Sequence, residues 1–173
     1  MKKMYSRTIA MMFLMVGFWS CNSDDETNCP EDFTGSLGTG EEVLVGKWQL
    51  KAIKAEEALD LTDDDTDNPS KDLFAQYSAC QKDAFYTFET DRTYAYEQGK
   101  TAEDCENTFS SDGTWRFASN TLNLVSSCSV QSTGLELNED FTEFTFSVDY
   151  KISEVDGSVV QTTLDFTYAL LDE

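Results

Sequence analysis

The chain of 173 residues contains no histidine, and its 12 lysine and arginine residues are outnumbered by 33 aspartate and glutamate residues. The absence of histidine removes Ser-His and Cys-His nucleophile pairs and imidazole metal sites. The formal charge of −21 argues against nucleic-acid binding, because a phosphate-binding face needs clustered basic residues. Apolar residues still make up 40% of the chain, enough to fill the core of one domain.

Sequence motifs for catalysis and cofactor binding are also missing. The chain has no Gly-rich phosphate loop, no nucleophile elbow and no C-x-x-C spacing. Two carboxylates are enough for a glycosidase, but so many acidic residues are present that no pair stands out. We therefore expect a protein that is not an enzyme and has no cofactor or metal.

The first twenty residues have the pattern of a secretory signal. A basic start that includes Arg7 precedes an apolar run over 9–19, and the small residue Ser20 precedes Cys21. The run is shorter than the roughly twenty apolar residues that span a membrane. We predict a signal peptide over 1–20; the alternative is a buried N-terminal helix.

A polar segment separates this signal from the rest of the chain. Residues 22–42 are rich in Ser, Asp, Thr and Gly and have few large apolar groups, which is typical of a linker. We predict a flexible acidic tether over 21–42 and a single folded domain over 43–173.

Alternation of apolar and polar residues predicts an all-β domain. Seven segments have this pattern or lie beside turn signals, and an eighth strand is possible within 129–138. The seven segments are Val43 to Ala52, Ala84 to Glu89, Thr93 to Gln98, Thr114 to Ala118, Thr121 to Ser126, Phe141 to Ile152 and Val159 to Leu170. Ser119-Asn120 and Asp156-Gly157 are hairpin turns. A short helix over 70–79, capped by Ser70, lies between the first two strands.

Long strands with one apolar face favour an antiparallel up-and-down meander that curls onto itself. A barrel of about eight strands is just wide enough to be filled by side chains or to hold one small ligand. The predicted fold is therefore an all-β barrel.

Four of the five cysteines indicate disulfides. With Cys21 set aside, an even number remains in a secreted chain, which allows three connectivities. We favour Cys80 with Cys105, because the hairpin between them brings its ends together. Cys29 with Cys128 follows by elimination.

Two resemblances to known families add to this interpretation. Gly17-Phe18-Trp19-Ser20-Cys21 resembles the lipobox of bacterial lipoproteins, which implies that Cys21 is lipidated, and Ser23-Asp24-Asp25-Glu26 resembles an acidic surface-export signal. The resemblance implies an outer-membrane lipoprotein that lies either at the cell surface or on the periplasmic side.

The second resemblance concerns the folded domain. Gly46-Lys47-Trp48 resembles the Gly-x-Trp signature of lipocalins, and the cysteine-flanked strand at 80–88, Gly113-Thr114-Trp115 and Leu122-Asn123-Leu124 follow in order. The series resembles the lipocalin-like domain of small bacterial lipoproteins over about 43–171. It implies a lipocalin-like barrel, a small apolar ligand and no catalytic residues.

The aromatic residues of the strands are the candidate ligand site. They either fill the core or line an open calyx for an apolar molecule, and a cavity above roughly 300 Å³ would favour the calyx. The candidates are Trp48, Tyr86, Phe88, Tyr94, Tyr96, Trp115, Phe117, Phe146, Phe166 and Tyr168.

An acidic segment over 60–72 raises the question of calcium. Asp63, Asp65 and Asp67 match the first three ligand positions of an EF-hand loop. Asn68 and Phe74 replace the Gly and the bidentate Glu that the loop requires. The sequence therefore favours a solvated acidic loop over a metal site.

Two functional hypotheses follow. The first is a lipid-anchored, extracytoplasmic lipocalin-like protein that binds a small hydrophobic or amphipathic ligand in its barrel without chemistry. The alternative is an envelope or surface interaction lipoprotein whose packed barrel binds a protein or glycan through its outer surface. An open cavity would favour the first and a plugged barrel the second.

Overall fold

The computed structural model describes residues 28–171 of the chain. The predicted signal peptide, Cys21 and the acidic run at 23–26 lie outside the described residues. Within residues 28–171, no helix is both long enough and apolar enough to cross a membrane.

The described chain is mostly antiparallel β-sheet with two short α-helices, which confirms the predicted fold. The strands are β1 (Gly46–Leu59), β2 (Ser70–Asp72), β3 (Ala84–Phe88), β4 (Thr93–Gln98), β5 (Phe109–Ala118), β6 (Thr121–Ser126), β7 (Ser129–Gly134), β8 (Glu136–Leu137), β9 (Glu143–Ser153) and β10 (Val159–Leu170). The helices are α1 (Leu73–Gln76) and α2 (Ala79–Lys82), and a 3-10 helix covers Glu42–Leu44.

Nine of these strands form a nearly closed barrel. Their order is β7-β6-β5-β4-β3-β1-β10-β9-β8. The short strand β2 pairs with the C-terminal half of β1. The two strands at opposite edges of this sheet, β7 and β8, are separated in the chain by one residue, Leu135. They act as one broken strand that pairs with β6 on one side and with β9 on the other. This strand is the eighth that the sequence suggested within 129–138.

The core follows from the alternation that the sequence shows. In the longest ladder, Phe146 pairs with Phe166 and Phe144 with Tyr168, so aromatic side chains from β9 and β10 meet on the inner face. Fully burying a side chain such as that of Phe144, which is 1% exposed, stabilises the barrel by roughly 1.5–3 kcal/mol. The inner face therefore carries most of the apolar surface that drives folding.

The helical region differs in detail from the prediction. Ser70 is not a helix cap, because it belongs to β2 and pairs with Leu59. Asp72 caps α1 by accepting a hydrogen bond from the Ala75 amide at 3.2 Å. Ser78 caps α2 in a reciprocal box with Gln81. Pairing of Ser70–Asp72 with β1 decides where α1 begins and therefore which residue caps it. The local sequence does not show this pairing, because β1 lies outside this segment of the chain.

The described part of the predicted tether lies against the barrel. Cys29 forms a disulfide with Cys128 in the turn between β6 and β7, and the Phe33 amide donates to the Thr114 hydroxyl at 2.9 Å. Glu41 is 5% exposed. Residues 29–42 thus form a strap along the outside of the barrel, so the expectation of a flexible tether does not hold for them. The Cys80–Cys105 disulfide is also present, which confirms both predicted pairs.

Candidate functional site

One end of the barrel is closed by its largest side chains. Trp48 and Trp115 are fully buried, and Phe88 lies between the two strands that carry them, its ring centroid 5.2 Å from that of Trp115. Each indole nitrogen donates to a backbone carbonyl, Trp48 to Leu44 at 2.8 Å and Trp115 to Glu89 at 3.1 Å. The 3-10 helix that contains Leu44 therefore seals this end, and the polar atoms of both tryptophans are satisfied.

A buried ion pair holds the strap to this closed end. The Arg92 guanidinium donates to both carboxylate oxygens of Glu41, at 2.9 and 2.7 Å, and both side chains are less than 10% exposed. Its remaining hydrogen bonds reach the carbonyls of Gly35, Ser36 and Trp115. The hydrogen bonds that the Glu41 carboxylate accepts, above all those from Arg92 and then those from the Gly38 and Phe117 amides, lower its pKa from 4.5 to about 2.

Above the closed end, the barrel is hollow. A cavity of about 420 Å³ opens toward the end where β5 begins and β9 finishes. Sixteen described residues line it, and nine of them are aromatic: Tyr86, Tyr94, Tyr96, Phe109, Phe144, Phe146, Tyr150, Phe166 and Tyr168. The others are Ser111, Leu122, Leu124, Gln131, Thr133, Leu135 and Val148. The volume exceeds the 300 Å³ at which ligand pockets begin.

Tyrosines form the deep part of this cavity. The Tyr86 ring centroid lies 4.7 Å from that of Tyr96 and 5.1 Å from that of Tyr168, and Tyr168 is 3% exposed. Burial raises the pKa of all three hydroxyls. The three groups therefore remain protonated at neutral pH, and the Tyr86 hydroxyl, which makes no hydrogen bond to a described residue, can donate one to a guest molecule.

Six of the ten aromatic residues predicted from the sequence line the cavity: Tyr86, Tyr94, Tyr96, Phe146, Phe166 and Tyr168. The other four lie outside the lining. Trp48, Phe88 and Trp115 are buried in the closed end, and Phe117 is half-buried against the core. Alternation identifies the inward face of a strand but not the height of a residue along the barrel axis, so it could not separate wall from floor.

Sequence reasoning also missed part of the wall. The alternation along β9, which puts Phe144 on the inward face with Phe146, also places Val148 and Tyr150 there, so this signal was sufficient to include the last two. Gln131 and Thr133 lie on the polar strand β7, where no apolar pattern marks the inward face. Their position follows from pairing with β6 and was not readable from composition.

The barrel wall is incomplete beside the cavity. The ladder between β8 and β9 contains Glu136 with Thr145 and Leu137 with Phe144. Beyond Thr145, the described residues of β9 pair with β10 alone. Because β7 pairs with β6, no ladder of backbone hydrogen bonds joins β7 to β9 among the described residues. The rim aromatics Phe109 and Tyr150, which are 55% and 44% exposed, lie at this open end.

The acidic loop lies beside the mouth and folds on itself. Asp60 is buried and accepts hydrogen bonds from Thr62 and from the Asn68 amide, while its own amide donates to Glu154. The carboxylate side chains between 60 and 67 do not point toward a common position. Within residues 28–171 no group of three or more carboxylate or cysteine side chains is placed to hold a metal ion.

The fold and the cavity define the class of this protein: an antiparallel, lipocalin-like β-barrel with a closed end, an aromatic interior and an open mouth. The chain belongs to a family of domains of unknown function (DUF5004), whose model matches residues 22–171. A search of curated proteins finds no match.

Proposed function

We propose that this protein binds a small hydrophobic or amphipathic molecule in its barrel and performs no chemistry on it. The observation that carries the proposal is the cavity of about 420 Å³ with nine aromatic residues in its wall. A barrel packed solid would instead have favoured the alternative, in which the outer surface binds a protein or glycan. The open cavity also supports the proposal that this protein is lipocalin-like, which rests on the resemblance of its first strand to the Gly-x-Trp signature.

The cavity can be tested by filling it. Thr133 on β7 lines the cavity and makes no hydrogen bond to another described side chain, so Thr133→Trp adds bulk to the interior without removing a contact. Val130 on the same strand is 51% exposed and does not line the cavity, which makes Val130→Trp the matched control.

The neutral dye N-phenylnaphthylamine, whose fluorescence rises in apolar sites, is the probe. We expect the wild type and Val130→Trp to bind it with similar affinity and Thr133→Trp to lose at least tenfold. Thermal unfolding of both variants checks that each remains folded. Equal binding by all three proteins would place the dye outside the barrel and refute the proposal.

We also propose that the protein is anchored to the outer membrane by lipid on Cys21, on the extracytoplasmic side. The basic and apolar N-terminal pattern and the lipobox-like residues support this placement. Several acyl chains would anchor the protein stably, at about 0.8 kcal/mol for each buried methylene. Expression in a Gram-negative host should give a membrane-bound protein whose mass includes the lipid, whereas Cys21→Ser should remain unlipidated.

A further inference from the structure

The cavity wall contains no charged side chain. The sixteen described residues that line it include no Lys, Arg, Asp or Glu. An anionic group taken into this interior would lose its hydration without meeting a cation, which makes its entry unfavourable. The wall therefore suits the uncharged parts of a molecule.

The interior nevertheless offers hydrogen-bond donors. The Tyr86 hydroxyl makes no hydrogen bond to a described residue, although the ring is largely covered by Phe88, Tyr96 and Tyr168. No wholly buried side-chain oxygen or nitrogen within residues 28–171 lacks a partner. The Tyr86 oxygen must therefore open onto the cavity, where it can donate to a carbonyl or ether oxygen of a ligand.

Negatively charged loops lie at the mouth. Three loops at this end, which we call the mouth loops, cover 60–69, 99–108 and 154–158. Together they carry ten carboxylates and one lysine, Lys100. The rim residue Phe109 directly follows the second loop, and Tyr150 lies four residues before the third. An anionic ligand must pass the mouth loops to enter, and their clustered negative charge repels it.

We propose that the cavity selects uncharged ligands that carry a hydrogen-bond acceptor, such as a ketone or ester carbonyl, and rejects organic anions. This inference rests on the proposed binding function and specifies its ligand class. The uncharged wall and the mouth loops act against anions, and the Tyr86 hydroxyl favours an acceptor inside.

The charge arm compares two dyes that share a ring system. N-phenylnaphthylamine is neutral, and anilinonaphthalene sulfonate adds one negative group. The variant Asp63→Asn/Asp65→Asn/Asp67→Asn removes three exposed charges of a mouth loop, none of which makes a side-chain hydrogen bond to a described residue. The control Glu136→Gln/Glu139→Gln/Asp140→Asn removes three exposed charges near the closed end.

We expect the mouth variant to bind the sulfonate about fivefold more tightly at about 10 mM salt, and less than twofold more tightly at about 0.5 M, since screening shortens the reach of the charges. Affinity for the neutral dye should stay within twofold in both variants. The control should leave both dyes unchanged. Equal effects of the two triple variants, or sulfonate binding as tight as neutral binding in the wild type, would overturn the charge selectivity.

The acceptor arm uses the ketone dye Prodan, whose emission shifts to the red when its carbonyl accepts a hydrogen bond. Tyr86→Phe should weaken Prodan binding about tenfold and shift its bound emission to the blue, while N-phenylnaphthylamine binding stays within twofold. Tyr77 is half-buried and does not line the cavity, so Tyr77→Phe is the matched control and should change neither dye. A wild-type emission spectrum retained in Tyr86→Phe would show that this hydroxyl does not select the ligand.

The outcomes separate this inference from the proposed function. If no dye is displaced by Thr133→Trp, the barrel is not the binding site and the proposed function fails. If the dyes bind inside the barrel but ignore charge and the Tyr86 hydroxyl, ligand binding stands and the selectivity proposed here is wrong.

Discussion

Removing the Arg92 guanidinium should cost more stability than any exposed substitution, because it leaves a buried carboxylate without its cation. Glu41 would keep two backbone donors, the amides of Gly38 and Phe117, but its charge would be uncompensated. Losing one partner of a buried pair costs about 3–5 kcal/mol. We therefore expect Arg92→Met to lower the free energy of unfolding by that amount.

Arg116 provides the matched control. It is exposed, and its guanidinium lies 5.0 Å from the centroid of the Phe33 ring on the same strap that Arg92 holds. An exposed cation–π contact contributes about 0.5–1 kcal/mol, so Arg116→Met should cost no more than that. Urea denaturation at pH 7, with the slope held in common, measures both values. A loss below about 1 kcal/mol for Arg92→Met, or equal losses for the two variants, would refute the reasoning.

The same pair predicts a pH dependence with a definite sign. The pKa of Glu41 falls from 4.5 to about 2 on folding, so its contribution is present above pH 4.5 and is lost as the pH falls toward 2. The shift corresponds to at most about 3 kcal/mol. Other carboxylates titrate in both proteins, so their effects cancel in the stability difference between the wild type and Glu41→Gln. This difference should narrow over the same range, because the contribution of Glu41 is lost there. A difference independent of pH would contradict the assignment.

Two further predictions concern the frame of the barrel. Cys80→Ser/Cys105→Ser should lower the free energy of unfolding by about 3–4 kcal/mol, and Cys29→Ser/Cys128→Ser by about 4–5 kcal/mol. The second loss is larger because the Cys29–Cys128 disulfide closes a loop of 99 residues, whereas Cys80–Cys105 closes one of 25. Equal losses in urea denaturation would argue against the loop-entropy explanation. Gly113→Ala should cost about 3 kcal/mol, since its methyl group would overlap the Val125 carbonyl oxygen on β6. Gly134→Ala meets nothing within 4 Å and should be nearly neutral. Thermal unfolding of the two glycine variants compares them directly.

The strands that were read well from the sequence share one property: they alternate and end at marked turns. β6 and β10 have the predicted bounds, Thr121–Ser126 and Val159–Leu170, because one face is apolar and the flanking residues favour turns. β5 begins at Phe109, five residues before the predicted start at 114, because Phe109–Gly113 are held by pairing with β4 and not by an apolar pattern.

The interior shows a similar division. The residues of β9 and β10 that point inward were evident from alternation, and so was the aromatic character of the core. The separation of Trp48 and Trp115 from the cavity wall depends on where the strap and its 3-10 helix meet the barrel. That contact joins residues far apart in the chain, such as Glu41 and Arg92, and neither has a local pattern that predicts burial.

From the sequence alone came the β class of the domain, its turns and the pairing of its four cysteines, because these depend on short-range periodicity and on the number of partners available. The tertiary structure decided that the barrel is hollow, that three acidic loops lie together at its mouth and that residues 29–42 bind to its outer wall. These properties depend on strand register and tilt around a closed sheet, where small shifts decide whether side chains meet across the axis or leave a space.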